Sequence, residues 1–99
     1  MLHIVNKSPG QAQALASCLR VARDGDSLLL TEDAVYAATA SGAKACGLDA
    51  ALERLKVHAL TPDLQARGIA ARRIEGIEAV DYAGFVELVA GHTTNQSWL

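Results

Sequence analysis

Short apolar runs alternating with helical patterns predict an α/β fold, a three-layer α/β/α single domain over residues 1–99 with a mainly parallel sheet of about four to five strands. Three observations carry that expectation. The "LLL" of residues 28–30 lacks polar alternation, as in a strand covered on both faces. Helix-start and helix-stop signals separate the apolar runs. A hydrophobic content of 51% in 99 residues is enough for a real core, and no repeat, linker or low-complexity segment interrupts it.

Leu2 to Val5 reads as the first strand. In "NKSPGQ", Ser8 suits an N-cap, Pro9 the first helical position and Gln11 the reaching-back position of a capping box, so a first helix is predicted from about Pro9 to Arg23. Gly25 supplies its stop. Ser27 to Thr31 is the second strand. The alanine-rich residues 32–55 predict one or two helices broken near Ser41 and Gly42. Lys56 to Leu60 is a third strand, "TPDLQARG" a short helix opened by Thr61 and Pro62 and closed at Gly68, and Ile77 to Val80 a fourth strand. Asp81 caps a last helix in which Tyr82, Phe85, Val86 and Val89 recur at helical spacing and Gly91 marks the end. The tail "HTTNQSWL" shows no regular period.

A formal net charge of -2 gives no general attraction for phosphate backbones, and Arg67, Arg72 and Arg73 read as a solvated loop, so direct nucleic-acid binding is not expected. "MLHIVNKSPG" has neither the basic stretch nor the long apolar run of a secretion signal, and no later segment approaches a membrane span. The expected location is the cytoplasm. In that reducing compartment Cys18 and Cys46 are expected as free thiols.

In open α/β sheets, ligands gather beyond the carboxyl ends of the strands, which here carry Asn6, Lys7, Thr31, Glu32, Asp33, Thr61, Asp63 and Asp81. A receiver-like site would need its carboxylates after the first strand and a lysine closing a late strand, and neither is present. Capping of following helices accounts for Asp33, Asp63 and Asp81. "GAKACG" lacks the Lys-Ser/Thr of a phosphate loop. His3, His58 and His92 are scattered, with no metal-ligand spacing, and His3 and His58 read as satisfied strand histidines. Neither metal nor cofactor is expected.

Cys18 remains. At about 100° per residue, Ala12, Leu15, Ala16, Leu19 and Ala22 centre the inward stripe, and Cys18 lies about 100° away beside Gln11, Ala14 and Val21. That margin predicts partial exposure, open to an interface if the surface around Ala14 and Val21 meets another subunit. The thiol lies about 13 Å from the expected helix start, beyond help from the dipole, and no cation stands three or four residues away. Composition leaves two readings side by side, a half-buried packing residue and an accessible thiol. Cys46 falls in an expected loop or frayed helix without the cationic neighbours of a sulfur-transfer loop.

Taken together and in order, "MLHIVNKSP", "SCLR", "GDSLLLTEDAVYAA", "LTPDLQARG", "VDYAGFVEL" and "QSWL" resemble the TusB/DsrH family over nearly the whole chain. The likeness implies a DsrEFH-like three-layer fold. It also implies a subunit of a sulfur-relay (sulfurtransferase) complex, a heterohexamer with sister TusC/TusD-like or DsrE/DsrF-like subunits, exchanging persulfide sulfur with donor and acceptor proteins. In one branch the sulfur ends at the 2-position of the tRNA wobble uridine, and in the other it belongs to cytoplasmic sulfur oxidation. DsrH-type members carry a cysteine in the first helix, and Cys18 in "SCLR" is its match, the candidate persulfide carrier; some TusB members lack it. Persulfide exchange requires no cofactor.

Two readings from different classes therefore stand: a carrier through Cys18, or a structural assembly subunit whose sister chain carries the sulfur. A third, an isolated small-molecule-binding domain, requires a monomer with a pocket at the strand ends. An apolar flank meant for a sister chain also predicts a homo-oligomer of the isolated chain. Trp98 serves an interface or folds onto its own domain.

Overall fold

The computed structural model describes residues 1–10 and 13–98. β1 (Leu2–Val5), β2 (Ser27–Leu30), β3 (Lys56–Leu60), β4 (Ile77–Val80) and β5 (Asn95–Trp98) form one sheet in the order β4-β3-β2-β1-β5, each neighbouring pair parallel. In the centre, His3 stands opposite Leu28, and Leu29 opposite His58.

Alternation along the strands sends side chains to two faces. Val5, Leu28, Leu30, Val57, Ala59 and Ile77 build the larger core. It lies under α1 (Ala14–Val21), a 3-10 stretch over Glu32–Ala38, α2 (Ala40–Cys46), α3 (Leu48–Ala51) and α4 (Thr61–Ala66). Leu2, Leu29, Leu60 and Val80 point the other way, toward Phe85, Leu88 and Val89 of α5 (Tyr82–Ala90). Helices on both faces of a parallel sheet are what the pattern predicted, with the four expected strands in place.

The boundaries depart from expectation where local signals mislead. α1 begins at Ala14, behind Gln13, which makes no side-chain cap. Ser8 Oγ instead accepts from the Gly10 N–H at 3.3 Å, so the "SPG" signal closes a turn. The Gln11 half of the expected capping box lies outside the described residues. α1 ends at Val21, where Arg54 donates to the carbonyls of Leu19 (2.7 Å) and Ala22 (2.8 Å) and satisfies groups the helix leaves open. Residues 32–51 break at Thr39 and Gly47, not at Ser41 and Gly42. Thr39 Oγ1 accepts from the Gly42 N–H at 3.2 Å, placing Ser41 and Gly42 in the first turn of α2.

The tail from His92 onward showed no regular period, yet it supplies β5. An edge strand is held by its ladder, here to β1, and three of the four β5 side chains are exposed, so no apolar alternation marks it. α5 is capped as expected, Asp81 Oδ1 accepting from the Gly84 N–H at 2.8 Å. Its inward face is Phe85, Leu88 and Val89, whereas Tyr82 (64% exposed) and Val86 (63%) point to solvent.

Candidate functional site

Cys18 lies at the centre of the buried stripe of α1 with Leu15 and Ala22, not at its margin, and is 0% exposed. The expected stripe of Ala12, Leu15, Ala16, Leu19 and Ala22 holds only in part: Leu15 and Ala22 are buried, but helix α1 turns Ala16 and Leu19 partly outward and faces Cys18 to the sheet; Ala12 lies outside the described residues. Val21 does sit on the exposed side, yet Cys18 does not open beside it. Burial, joined by the nearby charge of Asp26, pushes the Cys18 thiol up to about 12. At neutral pH the thiol is therefore protonated.

Cys46, the last residue of α2, is half-buried, and its Sγ contacts the Ala43 carbonyl at 3.7 Å. It lines a hollow of about 300 Å³ with Pro9, Gly10, Ala16, Gly42 and Ala45. Burial raises its thiol as well.

A chain of hydrogen bonds runs from β5 through β1 to Asp26, the residue before β2. Trp98 Nε1–H donates to His3 Nδ1 at 3.2 Å. Because an indole N–H only donates, Nδ1 accepts, the proton of a neutral His3 sits on Nε2, and Nε2 donates to Asp26 Oδ2 at 2.9 Å. The same oxygen takes the Arg23 N–H at 3.0 Å, and Oδ1 takes the Met1 ammonium at 3.0 Å. Desolvation would raise the Asp26 carboxyl, but these donors outweigh it and hold the group well below the usual carboxylate range. His3 is 2% exposed and satisfied, as the sequence predicted.

A cleft of about 440 Å³ opens beside this chain, lined by Met1, His3, Val21, Arg23, Asp26 and Thr94. Met1, Asp26 and Thr94 immediately precede or flank the starts of β1, β2 and β5, so the larger cleft lies at the amino ends of the strands. The carboxyl ends, where ligand groups were expected, are tied into structure. Glu32 holds a positive φ of 48° while its N–H donates to Asp63 Oδ2 at 2.7 Å. Asp33 pairs with Arg67 at 2.8 Å. Of the three aspartates expected to cap, only Asp81 caps the helix that follows it; Asp33 and Asp63 bind Arg67 and the Glu32 backbone. Arg67 is therefore ion-paired rather than solvated, and Arg73 donates to the Ile77 carbonyl.

His58 departs from its expected satisfied state. Both ring nitrogens are buried without a hydrogen-bond partner, and Glu78 approaches Nδ1 only to 3.7 Å. Burial lowers its pKa against the opposing pull of Glu78. Among the described residues no group of three or more His, Cys, Asp or Glu side chains could hold a metal, and no helix is long and apolar enough to cross a membrane.

Sequence reasoning missed Asp26 and its link to Trp98. Asp26 in "DGDS" reads as turn chemistry, and only the pairing of β5 with β1 carries Trp98 to His3. The available signal was a buried strand histidine, which must find partners.

The family described as "DsrH like protein" matches residues 7–95. Protein TusB of Enterobacter sp. (strain 638) is 41% identical over 98 residues, and Protein TusB of Sodalis glossinidius (strain morsitans) 38% identical over 98 residues; each alignment covers 99% of this chain and 100% of the relative. The fold is similar to that of MTH1491 from Methanobacterium thermoautotrophicum, a protein of unknown function. The TM-score is 0.70 at 14% identity, covering 97% of this chain and 95% of that one. It is also similar to Tm0979 from Thermotoga maritima, with a TM-score of 0.62 at 21% identity, covering 93% and 94%. With the family match spanning most of its length and TusB relatives aligned end to end, the chain belongs to the TusB/DsrH family.

Proposed function

We propose that this chain is an assembly subunit of a cytoplasmic, heteromeric sulfur relay for 2-thiolation of the tRNA wobble uridine, and that a sister chain carries the sulfur. The branch follows the TusB relatives, and sulfur oxidation is the alternative destination. The observation that carries the reading is the enclosure of Cys18, 0% exposed and protonated at neutral pH. In persulfide exchange an acceptor thiolate attacks the outer sulfur of a donor Cys–S–SH; the S–S bond breaks, the donor leaves as thiolate, and the acceptor becomes the persulfide with no net oxidation. That attack requires an exposed thiolate. The closed Cys18 offers neither the charge nor the path, so the carrier role expected from "SCLR" would require the thiol to leave the core.

What supports an assembly role is α5. Its sequence "YAGFVELVA" is apolar almost all round, yet none of its residues is buried and its outer side presents Tyr82 and Val86. A helix of that composition is normally covered on all sides. The apolar flank thus lies across the sheet from Cys18, not beside it. TusC/TusD-like sisters in a heterohexamer are the partners this reading assigns to it.

The test loads the assembled complex with a persulfide donor and maps the extra sulfur by mass spectrometry. Sulfur on a sister cysteine, with Cys18 unmodified, is expected. Stoichiometric persulfide on Cys18, or transfer abolished by Cys18→Ala in a correctly assembled complex, would overturn the assembly reading and restore the carrier.

A further inference from the structure

We propose that Trp98 is a plug which decides whether Cys18 can be reached, and that His3 is the latch holding it in place. α1 touches β1 and β5, and β5 is the edge strand on that side. Among the described residues, no further strand lies beyond β5 to cover the seam between α1 and the sheet there. Strand alternation aims Gln96 and Trp98 toward α1, but Gln96 is exposed and its amide turns back to the Ser97 carbonyl. Of the described β5 residues, Trp98 packs against the core cluster that includes Leu15, Cys18 and Val5.

Besides that packing, one directional bond holds the indole there. Trp98 Nε1–H donates to His3 Nδ1, with the two rings 6.2 Å apart and tilted by 37°. His3 cannot swing to follow the indole, since Asp26 fixes its other nitrogen and Asp26 is itself held by the Arg23 N–H and the Met1 ammonium. The latch is therefore rigid on the sheet side, while β5 is tied through its ladder to β1 alone. Edge strands with one ladder and exposed side chains are the elements that open at low free energy without global unfolding. Movement of Trp98 off His3 opens the seam from the edge and exposes the inner side of α1, where Cys18 sits.

The use of such a plug rests on the assembly reading above: with the indole in place, Cys18 stays out of exchange with persulfide passing between sister chains. The plug itself is tested without any sulfur transfer. The full chain, its Trp98→Phe variant, which keeps a ring and loses the N–H, and its Trp98→Ala variant are alkylated with iodoacetamide in sub-denaturing urea, and modification of Cys18 is followed by mass spectrometry. Loss of the hydrogen bond is expected to raise the Cys18 rate about threefold to tenfold in Trp98→Phe, and loss of the ring to raise it further, each with little dependence on urea. A Cys18 rate unchanged in Trp98→Phe and Trp98→Ala overturns the proposal. So does a rate that rises only along a steep urea dependence, the mark of global unfolding. Should Trp98→Ala not fold, Trp98→Phe decides alone. Sulfur found only on a sister chain leaves the plug standing, and failure of the plug leaves the assembly reading standing.

Discussion

At His58 the sheet carries a cost that pH should reveal. Its two nitrogens lack partners, and burial, against Glu78 on the neighbouring strand, depresses its pKa; Lys56 on its own strand and His92 beyond α5 add like charge. The folded chain therefore keeps the ring neutral while the unfolded chain takes up a proton as pH falls through about 6.5. Stability contributed by the neutral ring is present above that pH and is lost as pH falls toward the lower folded value. His58→Met should flatten the pH dependence of the urea midpoint between pH 7 and pH 5; an identical slope in variant and parent would refute the assignment. Asp26 acts in a separate, more acidic window. Its depressed carboxyl contributes stability above about pH 3.9 that is lost below it, and Asp26→Asn should destabilise the chain at pH 7 by about 1.5–3 kcal/mol, as for a partly buried charge-assisted network. For Cys18, a packing role predicts that Cys18→Ala costs about 1 kcal/mol and Cys18→Ser more, because an unpartnered hydroxyl would be buried. Equal midpoints for all three chains would show that the sulfur does not pack. The sequence placed Cys18 in the first helix but not at its centre. Counted from Ala14, the stripe of Leu15, Ala16, Leu19 and Ala22 still lies about 90° from Cys18; what the pattern lacks is the sheet's position, which turns the Leu15 and Cys18 side inward.

Elements with strong hydrophobic signals were legible, and those set by backbone contacts were not. "LLL" was read as a strand covered on both faces because it is one, and Asp81 as a cap because it caps. β5 carries no pattern because its side chains face solvent. Gly42 was taken for a helix breaker on composition, but the structure gives it another reason. A Cβ there would stand 2.1 Å from the Tyr36 carbonyl oxygen and 3.1 Å from Ala37 Cα, so glycine is demanded by the approach of the 3-10 stretch to α2. The sign of a substitution separates the two explanations. If Gly42 merely weakened the helix, Gly42→Ala would stabilise it by about 1 kcal/mol. The close approach predicts the opposite, a loss of about 2 kcal/mol or more, because backbone rather than a flexible side chain must move. Urea midpoints of Gly42→Ala beside Ser41→Ala, an exposed neighbour expected to be near neutral, decide between them.

At the scale of the whole molecule the two faces of the sheet are unequally covered, and that asymmetry bears on assembly. Among the described residues, five helical segments roof the face that holds Cys18, whereas α5 alone lies on the other and remains half open. A chain with this composition was expected to present an apolar flank to other subunits, but the expected flank was the α1 side around Ala14 and Val21. Both sides expose an apolar residue, with Val21 at 62% and Val86 at 63%, so exposure alone does not choose. Their surroundings do. Val21 stands next to Arg20 and Arg23 on a helix whose inner side is already buried, while Val86 continues into Tyr82, Ala83 and Ala90 on a helix with no buried residue. A contiguous apolar surface is what a partner covers, and isolated exposed valines need no partner. Val86→Lys should therefore leave the urea midpoint of the chain within about 0.5 kcal/mol and weaken association by about tenfold or more. Light scattering of the isolated chain over a concentration series, and of the co-expressed complex, reads that loss. Val21→Lys serves as the comparison and should assemble like the parent. If Val21→Lys dissociates the complex and Val86→Lys does not, the contact lies over α1, close to the Cys18 seam, and α5 is not the assembly face.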